Sequence, residues 1–506
     1  MNCVITIDVG TSSLKSTVYT LSGKSLYGSA SEYQPVFLKN NYAEQSPETW
    51  KNALIQTLND ISKYVSNNSI DIIAISVTSQ RASIIPVDKH GNYLHNAIMW
   101  QDKRTTQECK KISKFIDINT IYRKTGLRID PYFSAPKMLW LKENCSEIYN
   151  KSYKILGVQD FIIYLLTNKF ITDWTQASRT MLMDINNFKW DRDILDILEI
   201  NEEILPELCP PASIAGKLTD QIANTVGLKG GIPVIIAGGD QQCAAVALNI
   251  LQEGYAEANT GTGSFVIAYS DKPVFDIKNR TLCSAAAIPG KWVVEAGILT
   301  TGTIYRWLKE QFYPDSIDGE NKYELLNKEA SISTTGANGV IMIPHFQGSA
   351  APYWNPDAKG MFFNLTLGTK RSDIARSVLE GIALEIAENV FLIEENIGNI
   401  NTISVAGGMT RFDLFNQIQA DVFNKPVIKY ENSEASSLGA LISTSVTLGY
   451  YENYKIAFKN IINDNPTLYD PCDKNAEIYK IIINRKNKLY NALNENDIYS
   501  LFKYGI

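Results

Sequence analysis

The sequence predicts an α/β protein of two similar domains facing each other across a cleft. Short β-branched runs are the first reason. Val4 to Ile7, Ile70 to Val77, Val234 to Ala237 and Thr402 to Val405 each lead into glycine or hydroxyl residues, as buried strands do at their ends. The second reason is helical spacing between these runs, at Trp50, Leu54, Ile55, Leu58 and Ile61 and again at Ile374, Val378, Ile382 and Ile386. The third is repetition. Strand, Gly/Thr/Ser turn and returning strand occupy residues 4 to 20 and recur at 254 to 269. In each half a helix, a strand and a ligand-type turn follow. Such a duplication divides the chain into domains at 1–250 and 251–506, with the junction near 248–253.

Taken in order, Asp8-Val9-Gly10-Thr11-Ser12-Ser13 is the tip of the first hairpin. Its amides and hydroxyls suit phosphate oxygens, Lys15 suits their charge, and Asp8 suits a magnesium ion held through water. A plain polar turn fits the same residues. Ser46-Pro47 starts a helix with Pro at its first position. The strand Ile70 to Val77 delivers Thr78-Ser79-Gln80-Arg81 at its end, where ligands of open α/β sheets usually sit. A hairpin with a turn at Asp88 to Asn92, then Trp100-Gln101-Asp102, lead to helical stretches with Tyr132 and Trp140; Lys137 to Trp140 reads as packing.

The centre of the chain is Ile232 to Thr262. Gly238-Gly239 turn the strand into Asp240, and the small-residue helix Gln241 to Asn249 follows. A carboxylate at a helix N-terminus is held charged by the dipole, and a charged, positioned carboxylate is what a general base needs. A structural N-cap is the plain alternative. Asn259-Thr260-Gly261-Thr262-Gly263-Ser264 is the second tip. Ala406-Gly407-Gly408-Met409 ends the strand Thr402 to Val405, and the tail after about residue 450 reads as helical without chemistry.

The bulk numbers exclude several classes. The chain has 506 residues, enough for two domains, with the 45% hydrophobic content of an ordinary globular protein. A net charge of -6 argues against a nucleic-acid or anionic-membrane partner. Apolar runs are too short to span a bilayer, and the first eight residues go directly into a strand, so no signal peptide is expected. Seven cysteines without a Cys-x-x-Cys pair suggest reduced thiols and a cytoplasmic setting. Three histidines, His90, His95 and His345, make a zinc site or a His-based triad improbable.

With both tips, Asp240 and Gly407-Gly408 placed, the chain resembles the FGGY family of carbohydrate kinases, in pattern closest to its glycerol kinase and xylulose kinase branches. The resemblance rests on Trp100-Gln101-Asp102-Lys103-Arg104-Thr105, Pro131-Tyr132-Phe133-Ser134, Ala177-Ser178-Arg179-Thr180-Met181-Leu182 and Gly239-Asp240-Gln241-Gln242. Ala351-Pro352-Tyr353-Trp354 and Arg376-Ser377-Val378-Leu379-Glu380-Gly381 extend it, and matches run from residue 4 to about 445. It implies two ribonuclease-H-like domains of the actin, Hsp70 and sugar-kinase type around a central cleft, with ATP and a sugar bound there.

By the same resemblance Asp240 is the base, and Gln80, Arg81, Trp100, Tyr132, Gln241 and Phe265 join it in the substrate pocket. Asp8 lies near Mg2+. Thr11, Ser12, Ser13 and Lys15 face the β- and γ-phosphates from one domain, and Gly261 and Thr262 from the other. Gly302, Arg306, Gly407, Gly408 and Phe412 line the nucleotide. Glycerol kinases carry arginine at Lys15 and asparagine at Phe412, and the family's second signature has glycine at Asn364.

Glycerol kinases also continue Gln-Arg with a glutamate that accepts glycerol hydroxyls, where this chain has Ala82-Ser83. A methyl group there leaves space for one or two more carbinol units. The expected substrate is therefore a pentulose such as xylulose, or a pentitol. Glycerol kinase is the alternative, and an actin- or Hsp70-like ATPase without a sugar substrate is the alternative of another class. The expected partners are the sugar or polyol and ATP, and a homodimer is allowed.

Overall fold

The computed structural model describes residues 1–38, 41–313, 322–431, 434–462 and 465–502. Its first large sheet has six strands in the order Ser213–Lys217, Pro233–Gly239, Asp71–Ser79, Asn2–Val9, Ser13–Thr20, Ser25–Glu32. The three N-terminal strands are an antiparallel meander. Asp71–Ser79 adds parallel to Asn2–Val9, and Pro233–Gly239 adds parallel to Asp71–Ser79. The parallel strands are covered on both faces, which is why they read as continuous apolar runs: Val4, Ile5, Ile75, Val77, Val234 and Ile236 are all fully buried.

The second sheet repeats this kernel. Tyr255–Thr260, Ser264–Ser270 and Trp292–Ile298 form the meander, and Thr402–Ala406 and Val427–Lys429 are the parallel additions. Leu282–Ala285 and Thr467–Tyr469 lie at its edges. The duplication expected from the sequence is thus present strand for strand.

Helix Pro47–Asn67 lays Trp50, Leu54, Leu58 and Ile61 on the first sheet. Each such side chain contributes about 1.5–3 kcal/mol on full burial. Ser46 precedes the helix as expected, but its hydroxyl makes no capping bond, so the start rests on Pro47. Helix Arg371–Ile397 does the same service for the second sheet, burying Val378, Ile382 and Ile386.

Two helices cross between the sheets. Asp240–Ala247 packs along Ala435–Thr447, and the latter lies on the first sheet. There Leu438, Ala440, Leu441 and Ile442 share one buried cluster with Val4, Ala74, Ile235 and Ala237. A segment from beyond the second sheet therefore returns to the first, and Thr444 bonds the Ser76 hydroxyl at 2.7 Å.

The tail helix Asp473–Glu495 packs on helices Asp413–Phe423 and Arg371–Ile397. Its Lys486 is fully buried, 2.6 Å from Glu385 and 2.9 Å from Glu388. His345 bonds the other oxygen of Glu385 at 2.9 Å. The tail is a strap held by buried charge, a role its surface composition did not announce.

Candidate active site

Asp240 is the first residue of its helix, directly after the buried strand Pro233–Gly239. Its side chain keeps a quarter of its surface exposed. The Gln241 amide donates to Oδ1 at 2.8 Å, and the Arg81 Nε stands 3.8 Å from the same oxygen. The expected dipole effect does not dominate here. Burial raises the Asp240 carboxyl above the usual range, while Arg81, the Gln241 amide and Arg179 pull it back and Glu295 pushes it up. Desolvation is the largest influence on this carboxyl and outweighs the dipole. A carboxylate so raised is a stronger base than a free aspartate and needs less help to take a hydroxyl proton.

Arg81 is itself buried and held from the other domain. Its Nη1 lies 3.4 Å from Glu295, which projects from strand Trp292–Ile298. Arg179 reaches the second oxygen of Glu295 at 3.3 Å and donates to Ser284 at 3.1 Å. Gln242 donates to Glu295 at 3.4 Å. Two guanidinium groups of the first half are thus positioned by one buried carboxylate of the second, and both hold it below the usual carboxylate range against the effect of burial. Glu257, two strands away in the same row, is fully buried and raised well above the usual range by burial and by Glu295. Sequence reading missed Glu295 and Arg179. A charged residue inside the β-branched run Trp292–Ile298 was the available signal.

Tyr132 and Trp100 lie side by side, ring centroids 5.4 Å apart, with the Arg179 guanidinium 5.4 Å from the Tyr132 ring. Gln241 Oε1 is buried without a hydrogen-bond partner among the described residues, an acceptor available to a ligand hydroxyl. Phe265 pairs across the sheet with Gly297 and packs its ring over that glycine. Gln80 has a different position from its expected neighbours. It is buried, its amide donates to Gly10 O at 3.3 Å, and its oxygen accepts from Thr11 at 3.4 Å. The Trp100 indole donates to Thr11 at 3.1 Å. Gln80 and Trp100 together brace the first tip.

In that tip Asp8 ends strand Asn2–Val9, and the Gly10 amide donates to Ser13 O at 2.9 Å. Burial, then Asp240 and Glu434, push the Asp8 carboxyl up to about 7, with Lys15 opposing. Among the described residues no group of three or more His, Cys, Asp or Glu side chains is placed to hold a metal ion, so Mg2+ near Asp8 would be held largely through water and phosphate oxygens. Lys15 pairs with Glu434 at 2.6 Å. Ser12 is exposed and Thr11 and Ser13 partly so.

The second tip borders a cavity of about 600 Å³ lined by Gly261, Thr262, Gly302, Arg306, Gly408 and Phe412 among others. Here backbones approach closely. A Cβ on Gly302 would stand 2.3 Å from Gly261 O, and one on Gly407 2.3 Å from Thr260 O, where φ is also +96°. Asn364, the departure from the family's glycine, has φ of +67° and donates to Gly339 O at 3.0 Å. Asparagine tolerates that left-handed backbone, so the exchange keeps the turn.

A duplicated α/β fold with a hydroxyl-rich tip in each half and a raised carboxylate at a strand end defines a sugar-kinase-type phosphotransferase. Residues 3–247 match the N-terminal domain of the FGGY family of carbohydrate kinases, and residues 256–448 match its C-terminal domain. The chain belongs to this family, is a carbohydrate kinase, and by that membership uses ATP.

The xylulose kinase of Staphylococcus xylosus is 27% identical over 97% of this chain and 100% of its own length. The glycerol kinase of Thermococcus kodakarensis is 32% identical over 88% and 89%. Among solved structures, a ligand-bound xylulose kinase from Lactobacillus acidophilus superposes with a TM-score of 0.91 at 25% identity, covering 98% of this chain and 99% of that one. Plasmodium falciparum glycerol kinase with ADP gives 0.88 at 27% identity and 98% of both chains. The reading as an ATPase without a sugar substrate is set aside. Among the described residues no helix is long and apolar enough to cross a membrane.

Proposed function

We propose that this carbohydrate kinase transfers the γ-phosphoryl group of ATP to a terminal hydroxyl of a pentulose such as xylulose, or of a pentitol. Asp240 takes the hydroxyl proton. Arg81, Tyr132, Trp100 and Gln241 hold the reacting end of the sugar. Thr11, Ser12, Ser13 and Lys15 face the triphosphate from residues 1–250, and Gly261 and Thr262 face it from residues 251–506. Mg2+ near Asp8 would neutralise phosphate charge. Positioning and charge neutralisation supply most of the acceleration in phosphoryl transfer, so these residues need to orient rather than to form covalent bonds. Closure of the cleft would exclude water, the competing acceptor. The expected setting is the cytoplasm, with a homodimer to be tested by solution mass.

The observation that carries the substrate reading is Ala82. It is buried, has φ of +65°, and follows Arg81 where the glycerol kinase pattern has glutamate. Ala82, Ser83, Ser134, Asp160, Gln176 and Thr180 also border a separate cavity of about 20 Å³, which Arg81, Trp100, Tyr132 and Asp240 do not line. Glycerol is the second reading, favoured by the 32% identity to a glycerol kinase. The test compares kcat/KM for glycerol, xylitol, arabinitol, ribitol, xylulose and ribulose in the parent and in Ala82→Glu. Glycerol as best substrate of the parent overturns the five-carbon reading, and an unchanged preference in Ala82→Glu removes residue 82 from specificity.

A further inference from the structure

Lys137 sits in the first turn of helix Ser134–Asn144, fully buried. Its ammonium makes no ion pair among the described residues. Nζ donates instead to four backbone carbonyls: Ala82 at 3.2 Å, Pro131 at 3.0 Å, Phe133 at 3.1 Å, and Tyr132. An ammonium has three N–H groups, so four acceptors use its whole donor capacity. Burying a cation costs several kcal/mol, whereas a methionine would fill similar space without that cost. Packing alone therefore does not account for a lysine here.

The four carbonyls come from two chain segments that wall the sugar pocket. One is the left-handed turn at Ala82, next to Arg81. The other is Pro131–Tyr132–Phe133, whose Tyr132 ring meets Trp100 and Arg179. We propose that Lys137 is a positioning residue for the sugar: its ammonium clamps the Arg81–Ala82 segment to the Pro131–Phe133 segment and so sets the width of the pocket. This rests on the pocket assignment above. It goes beyond that assignment by naming a residue that never touches the substrate.

The clamp has a pH signature. Neutral lysine donates two N–H bonds instead of three and leaves carbonyls unsatisfied. Burial brings Lys137 down to about 7, while Asp102, Asp130 and the Cys109 thiol act upward and Lys103 downward. Asp102 is itself engaged by Arg104 and the Ala43 amide, and Asp130 faces Lys103 at 3.8 Å, so neither substitutes as a direct partner. The clamp is complete below about pH 7 and loosens above it.

The experiment measures KM for the best sugar, KM for ATP, kcat and thermal melting for the parent, Lys137→Met, Lys137→Gln and Tyr132→Ala, from pH 6 to 8.5. Expected is a tenfold or greater rise of sugar KM in Lys137→Met, with ATP KM within twofold. The parent's sugar KM should rise through about pH 7, and both Lys137 variants should lose that step. Lys137→Gln, which retains two donors, should fall between parent and Lys137→Met. If Lys137→Met fails to fold, Lys137→Gln and the parent pH profile decide. A sugar KM within twofold of the parent in a folded Lys137 variant, or a pH step that survives in one, overturns the clamp. An unchanged sugar KM in Tyr132→Ala marks instead a failure of the pocket assignment, and the clamp falls with it.

Discussion

The two sheets share one strand order and carry opposite chemistry at their ends. Strands Asn2–Val9, Asp71–Ser79 and Pro233–Gly239 end beside Asp8, Arg81 and Asp240; Asp240 pushes Asp8 up and Arg81 pulls Asp240 down. The matching strands of the second sheet, Tyr255–Thr260 and Thr402–Ala406, end at Gly261 and Gly407, where backbone meets backbone. Topology fixes where a ligand can sit; the residues at those positions decide whether the place handles protons or cradles a phosphate by its amides. Glu295 breaks the division, since it belongs to the second sheet yet holds Arg81 and Arg179 of the first.

The largest effect should come from removing the proton acceptor of the charged half. Asp240→Asn is expected to lose about 100- to 10,000-fold in kcat while nucleotide affinity, read by calorimetry, stays. A rate within threefold of the parent would take Asp240 out of the mechanism. Burial raises this carboxyl, so it should take up its proton, and stop acting as a base, at higher pH than an ordinary aspartate. The acid limb of kcat/KM should accordingly lie above the usual aspartate range near 4.

The backbone half should respond in the other substrate. Gly407→Ala forces a Cβ against Thr260 O at a positive φ, a strain of about 1–3 kcal/mol, or about 5- to 150-fold. That loss is expected in ATP KM, with sugar KM unchanged; a rise confined to sugar KM would erase the contrast between the sheets. Glu295→Gln tests the crossing. Losing one charged hydrogen bond is worth about 1.5–3 kcal/mol, so sugar KM should rise about tenfold or more although the residue sits in the nucleotide-side sheet. An effect on ATP KM alone would return Glu295 to its own half. Smallest in catalysis is Lys486→Met. It takes the buried ammonium from Glu385 and Glu388, leaving them His345 and Tyr353, and should cost about 3–5 kcal/mol of stability in a denaturant melt, with KM values of the folded enzyme within twofold.

Much of the site was legible because it lies where local pattern is strongest. Both tips, Asp240 and the Gly407-Gly408 turn stand directly after β-branched runs, and the structure has strands ending there. Helix Arg371–Ile397 carries Ile374, Val378, Ile382 and Ile386, the spacing that predicted it. Periodicity sees neighbours within a few residues, however, and it took Lys137 for packing and the tail for plain helix. Lys137 meets Ala82 across 55 positions and Lys486 meets Glu385 across 101.

By itself, then, the sequence determined the α/β class, the duplicated order of strands and turns, and the family, because these follow from local apolar spacing and from short motifs. Tertiary structure alone decided which buried charges meet. It placed Glu295 between Arg81 and Arg179 and turned Gln80 toward the first tip. It also raised the Asp240 carboxyl, where the helix dipole alone would lower it. The physical reason is the same throughout: desolvation and ion pairing depend on which distant segments exclude water together, and no local pattern encodes that.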